Sequence, residues 1–189
     1  MKLSEQEKKF LLSSARESIQ SVFDSKYSPS LVDYNLYPNL KVPYGAFVTL
    51  TILNELRGCI GFIISEKSLF ETVCEVARHA AFRDPRFLPL TVNELEKVSI
   101  EISVLSEPVP IKDYSEIKIG LHGLLLEDVF GHAVLLPQVA VENNYNLYEF
   151  LSALCNKAGL ISNAWQYKKL NIKVFTAEII SENVKSENE

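Results

Sequence analysis

The sequence predicts an α+β fold, mainly antiparallel β-sheet flanked by helices. Three observations carry this. The strand-like runs come in adjacent pairs, 45–53 with 56–64 and a group between 116 and 137. The helical patterns do not alternate regularly with them, as they would around a parallel sheet. No glycine-rich G-x-G-x-x-G follows the first strand and no P-loop occurs, which sets aside dinucleotide and triphosphate binding by those routes.

Each element has a local reason. Residues 4–24 read as a helix: Ser4 with Glu7 makes a capping box, and Leu11, Leu12, Ala15, Ile19, Val22 and Phe23 recur at spacings of three and four. Residues 25–43 hold Pro29, Pro38 and Pro43 and form a long connection, pinned to the body or functional. GAFVTLTIL at 45–53 is β-branched and aromatic, hence a strand. Asn54 and Glu55 make a tight turn, and 56–64 returns as the second strand. Gly58 and Gly61 within it mark a bulge or a close backbone approach. Ser68 with Glu71 caps a second helix, with Leu69, Val73, Val76, Ala77 and Ala80 inward, stopping near Asp84 before Pro85. Thr91 with Glu94 opens a short helix. VSIEISVL at 98–105 alternates as a strand, its apolar face opposite Ser99, Glu101 and Ser103. Pro108 and Pro110 break the chain. Residues 116–137 hold three apolar runs, IKIGL, GLLLED and HAVLLPQ, which read as a meander of hairpins. Asn146 with Glu149 caps another helix, with Gly159 past its end. Residues 173–180 form a last strand closing the core, and the polar tail from 183 to 189 frays.

Bulk properties narrow the function. A chain of 189 residues, 47% apolar, buries a sizeable core as one domain over 1–182, with or without a smaller lobe. A net charge of −5 with no basic cluster disfavours nucleic acid. No apolar run reaches the roughly 18 residues of a membrane span, and the N-terminus lacks an apolar signal core, so the chain reads as cytoplasmic. The three cysteines, Cys59, Cys74 and Cys155, are far apart and show no disulfide framework. No Cys-x-x-Cys or His-Glu-x-x-His spacing suggests a metal, and nothing names a cofactor.

The candidate chemistry concentrates in ELRGCIG at 55–61. On a regular strand Arg57 and Cys59 point the same way, with Gly58 leaving the backbone open between them. That geometry activates a thiol or binds an anion; equally, Cys59 is a small core residue. His79 is the best general-base candidate for Cys59. Arg83, Asp84 and Arg86 crowd the end of the second helix. Asp84 ties one arginine and the other clamps a carboxylate or phosphate, or the group is a helix stop held by internal ion pairs. Glu101, mid-strand, needs a partner if covered, and Arg57 is a candidate. Gln138, after Pro137, offers an amide to a cleft. Trp165, the single tryptophan, reads as packing.

LRGCIG at 56–61, preceded by GAFVTL, resembles the signature of the AMMECR-one domain family, whose prokaryotic members are called AmmeMemoRadiSam system protein A. The resemblance continues through AAFRDPRFLPLT at 80–91, IEISVLSEP at 100–108, VLLPQVA at 134–140, EFLSALCNKAGL at 149–160 and AW at 164–165, from about Gly45 to Ile179. It implies a larger antiparallel-sheet lobe flanked by helices, a smaller β lobe, and an inter-lobe cleft to which LRGCIG contributes. The family's name also implies Memo-like and radical SAM partners in a shared modification pathway. One departure is DVFGH at 128–132, where the family tends to carry a glycine- and arginine-rich turn.

Two functions follow. One is an enzyme or catalytic subunit with Cys59 as nucleophile or thiolate ligand, Arg57 stabilising charge and Arg83 or Arg86 holding an anionic group. The other is a binding or accessory module docking a peptide, small molecule or partner protein. The second is motivated by the absence from the sequence of any complete nucleophile–base set; the balance leans slightly to the first, an enzyme-associated role within the family's pathway.

Overall fold

A computed structural model of the chain describes residues 2–129 and 131–182. The polar tail at 183–189 and Phe130 of the DVFGH turn lie outside the described residues. The chain divides into two compact units, one built from the residues up to Leu105 with those from Glu178 onward, the other from Ser106–Ala177.

In the first unit, helix α1 spans Glu5–Phe23 with Ser4 at its N-cap in a full capping box with Glu7. Glu7 is itself buried, and its carboxylate also accepts from the Asn39 backbone and side chain. The 25–43 connection is pinned there. Tyr37 stacks on Phe10, Leu40 is buried in the core, and a short 3-10 helix forms at Pro38–Lys41. Strands β1 (Ala46–Ile52) and β2 (Glu55–Phe62) make an antiparallel hairpin. Its tight turn lies at Leu53–Asn54, both with positive φ (52° and 66°), one residue earlier than the sequence suggests. That pair of left-handed residues gives the twist a two-residue hairpin turn needs, and Glu55 is left free to join the strand.

Helix α2 (Leu69–Phe82) starts on Ser68 and ends at Arg83, ahead of Pro85. Helix α3 (Val92–Leu95) starts on Thr91 with Glu94 as its capping partner. Strand β3 (Ser99–Leu105) pairs with β1 antiparallel. Val48, Leu50, Ile100 and Ile102 point to one face of this sheet and are buried with Val73, Val76, Ala77 and Ala80 of α2 and Leu11 and Ile19 of α1. Each of the valine, leucine and isoleucine side chains contributes about 1.5–3 kcal/mol of burial, so this layer holds the unit together.

The second unit contains strands β4 (Val109–Pro110), β5 (Gly123–Asp128), β6 (Gly131–Leu135) and β7 (Ile172–Phe175), in sheet order β4-β7-β5-β6. It also carries helices α4 (Pro137–Glu142), α5 (Leu147–Lys157) and α6 (Ala164–Tyr167), so it is more than the β lobe expected. IKIGL is not a strand. After a 3-10 turn at Tyr114–Glu116, the chain bends through Gly120 at φ 79°, a conformation that breaks extended pairing. Pro110 lies in a short strand rather than a break. Its missing N–H is tolerated at a sheet edge, where β4 has β7 as its only neighbour among the described residues. The α5 helix ends as expected, with Gly159 at φ 76° after Ala158. Trp165 packs against Tyr114 and Tyr148 and donates to Ser152 Oγ (3.2 Å).

The last strand-like run is divided. Strand β7 ends at Phe175, and β8 (Ala177–Ser181) joins the first sheet, whose order is β2-β1-β3-β8. Thr176 sits at the divide. Its N–H donates to Ser106 Oγ and its carbonyl accepts from the Ser106 N–H, both at 2.9 Å. Alternation continues on both sides of Thr176, so periodicity alone does not reveal the switch. Among the described residues no helix is long and apolar enough to cross a membrane.

Candidate functional site

The site is the outer edge of β2. Among the described residues that strand has a neighbour on one side only, so its outward backbone groups need other partners. The register against β1 slips between Leu50 and Thr51: Leu50 faces Gly58 while Thr51 faces Leu56. Arg57 is the extra residue of a bulge. Arg57 and Cys59 therefore do not stand side by side as on a regular strand.

The Arg57 guanidinium turns to α3. Its Nε donates to Glu94 Oε1 (2.8 Å) and its Nη2 to Glu94 Oε2 (3.2 Å). The carboxylate it meets is thus Glu94's, not that of Glu101, which stands across β1 opposite Thr49. The bidentate pair, with Thr91 behind it, holds the Glu94 carboxyl down at about 2.

Asp84 and Arg86 act on Cys59's backbone. The Cys59 N–H donates to Asp84 Oδ2 (2.9 Å), and Arg86 Nη2 donates to the Cys59 carbonyl (3.3 Å). Arg86 also grips both Asp84 oxygens, Nε to Oδ1 at 2.9 Å and Nη2 to Oδ2 at 2.7 Å. Asp84 is only 4% exposed. The Arg86 bonds outweigh that burial and, with the Cys59 N–H, hold its carboxyl well below the usual range. The pair takes the place of a neighbouring strand, one donor and one acceptor. The Phe87 ring lies between the two guanidiniums, 5.9 Å from Arg57 Cζ and 5.5 Å from Arg86 Cζ. Asp84 ties one arginine, as the sequence suggests; Arg83 is exposed and its Nη1 approaches His79 Nε2 (3.2 Å).

The glycines are filled by the protein itself. A Cβ on Gly58 would stand 2.1 Å from the Ala80 carbonyl oxygen of α2. A Cβ on Gly61 would meet the Phe47 ring at 2.3 Å and the Ala46 carbonyl at 2.5 Å. The two serve close packing on opposite faces of the strand.

Those faces decide the place of His79. Its ring meets Phe62 edge-on at 6.4 Å, and Phe62 pairs with Ala46 on the helix-covered face. Cys59 pairs with Thr49 on the other face, and Thr49 Oγ1 donates to Cys59 Sγ (3.3 Å). The sheet separates imidazole from thiol, so His79 does not serve Cys59 as a base. Cys59 is partly exposed, whereas Cys74 and Cys155 are buried. Gln138 lies in the second unit, in the first turn of α4, half-buried. No group of three or more His, Cys, Asp or Glu among the described residues is placed to hold a metal ion.

Sequence reasoning missed Glu94, Phe87 and Thr49. Glu94 was visible only as a capping residue, and its second use depends on where α3 docks. Thr49 becomes a neighbour of Cys59 only once the hairpin register is known.

The comparisons agree with this architecture. The AMMECR1 family model matches residues 12–180. A protein of Methanosarcina barkeri is 37% identical over 175 residues, covering 89% of this chain and 86% of its own. One from Methanococcus aeolicus is 39% identical over 189 residues, covering 96% and 94%. The crystal structure of the uncharacterised protein PH0010 from Pyrococcus horikoshii superposes with a TM-score of 0.85 at 34% identity, over 95% of this chain and 93% of that one. With a family match over nearly the whole length, this chain belongs to the AMMECR1 family.

Proposed function

We propose that this protein is a non-catalytic binding module, with Memo-like and radical SAM proteins as its partners. The contact surface is the outer face of the first sheet, around Thr49 and Cys59. One observation carries the reading: Arg57, Asp84, Arg86 and Glu94 are engaged with one another in ion pairs that set the β2 edge, with the buried Arg57 Nη1 left without a hydrogen-bond partner among the described residues. A charge-stabilising catalytic role would need them turned toward a substrate. What they produce instead is a fixed sheet edge bearing a partly exposed face, suited to recognition by shape.

The test is a titration of the purified chain against each partner protein, followed by light scattering or calorimetry. Thr49→Lys and Thr51→Lys, placed on that face, are expected to weaken binding at least tenfold, about 1.4 kcal/mol, with the melting temperature unchanged. Cys59→Ser is expected to change it less than twofold. Binding that survives both lysine variants, or no binding by the native chain, would remove the proposal.

A second reading has its own support, the Thr49 hydroxyl donating to a partly exposed Cys59 Sγ at 3.3 Å. Such a donor orients the sulfur, which is accessible enough to serve as a nucleophile or ligand. Burial pushes the Cys74 thiol up to about 11 and raises Cys155 as well, so both stay inert in the folded chain. Rapid native alkylation of Cys59 alone, together with loss of pathway activity in Cys59→Ser, would favour this reading over the first.

A further inference from the structure

A groove of about 580 Å³ opens in the first unit along α2, beside the end of α1 and Pro29. It lies on the helix side of the sheet, away from Cys59. Its apolar lining near the two arginines of α2 is Val22 and Phe82, while Phe70 lies at the other end of α2, about 18 Å along the helix axis. Its charged groups are unevenly matched. Lys67 and Glu75 form an ion pair at 2.6 Å, and the Glu71 carboxylate is occupied in the capping box with Ser68. Arg78 and Arg83 remain. Among the described residues, neither has a carboxylate within ion-pair distance.

Both guanidiniums are oriented from behind. Arg78 Nη1 donates to the buried Ser18 Oγ (2.6 Å), which in turn donates to the Cys74 carbonyl (3.0 Å). Arg83 Nη1 donates to His79 Nε2 (3.2 Å), so the imidazole is neutral there, and burial followed by the Arg83 charge lowers its pKa. Glu71 keeps its negative charge at the far end of α2, and the C-terminal end of α2 adds about half a negative charge, a sum that the two guanidiniums still outweigh. A surplus of positive charge beside apolar walls is unusual on a chain of net charge −5. It complements a molecule with an apolar body and an anionic head.

We propose that this groove binds a small organic anion, an aromatic or aliphatic body carrying one phosphate or carboxylate, with Arg78 and Arg83 on the anionic group and Phe82 and Val22 against the body. The site is independent of the protein-docking face on the other side of the sheet.

The experiment titrates the full chain calorimetrically with 1-naphthyl phosphate and with 1-naphthoate, two probes that separate phosphate from carboxylate preference. Saturable one-to-one binding of at least one is expected, at least tenfold tighter than that of 1-naphthol or inorganic phosphate. Arg83→Gln, at an exposed position, is expected to weaken it about tenfold, and Arg83→Lys to restore most of the loss. Arg78→Gln, with folding checked by its melting curve, is expected to act in the same direction, while Thr49→Lys leaves binding unaltered. The proposal is overturned if neither anion saturates, if 1-naphthol binds equally well, or if Arg83→Gln binds like the native chain.

Discussion

Gly58 shows how one position constrains a strand and a helix together. Its missing side chain lets α2 come within contact of β2, the Ala80 carbonyl occupying the space a Cβ would need. The obstacle is backbone on a core helix, which cannot step aside as a flexible side chain would. Gly58→Ala is therefore expected to cost about 3 kcal/mol, from overpacking, and chemical denaturation would measure it. Any loss of binding in that variant would reflect the fold and not a contact. The need for glycine is legible in the sequence, since two glycines in one strand are costly. Its cause is not, because the neighbour is 22 residues away, in another element. The same holds for Arg57: its charge is visible in the sequence, but its choice of Glu94 over Glu101 depends on a one-residue bulge.

At the scale of elements, what the sequence shows best is local. The capping boxes at Ser4, Ser68, Thr91 and Asn146 all form, each a side chain speaking to a backbone three residues away. Elements that depend on distant partners are less visible, as with IKIGL, which has strand composition but no strand beside it. The β2 edge clamp is an element-scale device with a pH signature. In the folded chain the Asp84 and Glu94 carboxyls titrate below their ordinary range. As pH falls below about 4.5 the unfolded chain takes up protons that the folded chain refuses, so stability declines toward pH 2. Above that window the contribution is fully present. Denaturation midpoints measured between pH 6 and 2.5 should fall steeply in the native chain. In a chain carrying Asp84→Asn and Glu94→Gln the slope should be shallower, from a lower starting stability.

The whole molecule is arranged as one unit inserted in another. The chain leaves the first unit after Leu105 and returns at Glu178, and the two crossing segments are tied by the Ser106–Thr176 hydrogen bonds. The first unit keeps its own buried core of α1, α2, β1 and β3. Replacing residues 107–175 with a two-residue Asn-Gly turn is expected to leave a chain that folds cooperatively, as read by a single thermal transition with native-like helical circular dichroism. A non-cooperative melt would show that the inserted unit is required. Composition and alternation predict the α+β class of the whole. The insertion is hidden because residues 173–180 read as one strand, although they serve two sheets.

The salt clasp over Cys59's backbone has one more consequence. An open strand edge is a template on which another chain can build, and β2 presents its free N–H and C=O at the middle of an apolar hairpin. Asp84 and Arg86 occupy that template with side chains, which cannot propagate a ladder. They act as a guard against self-assembly. Removing both, as Asp84→Ala with Arg86→Ala, should leave a protein that joins edge to edge. Its sedimentation would become concentration-dependent and thioflavin-positive aggregates would form on storage, while the native chain stays monodisperse under the same conditions.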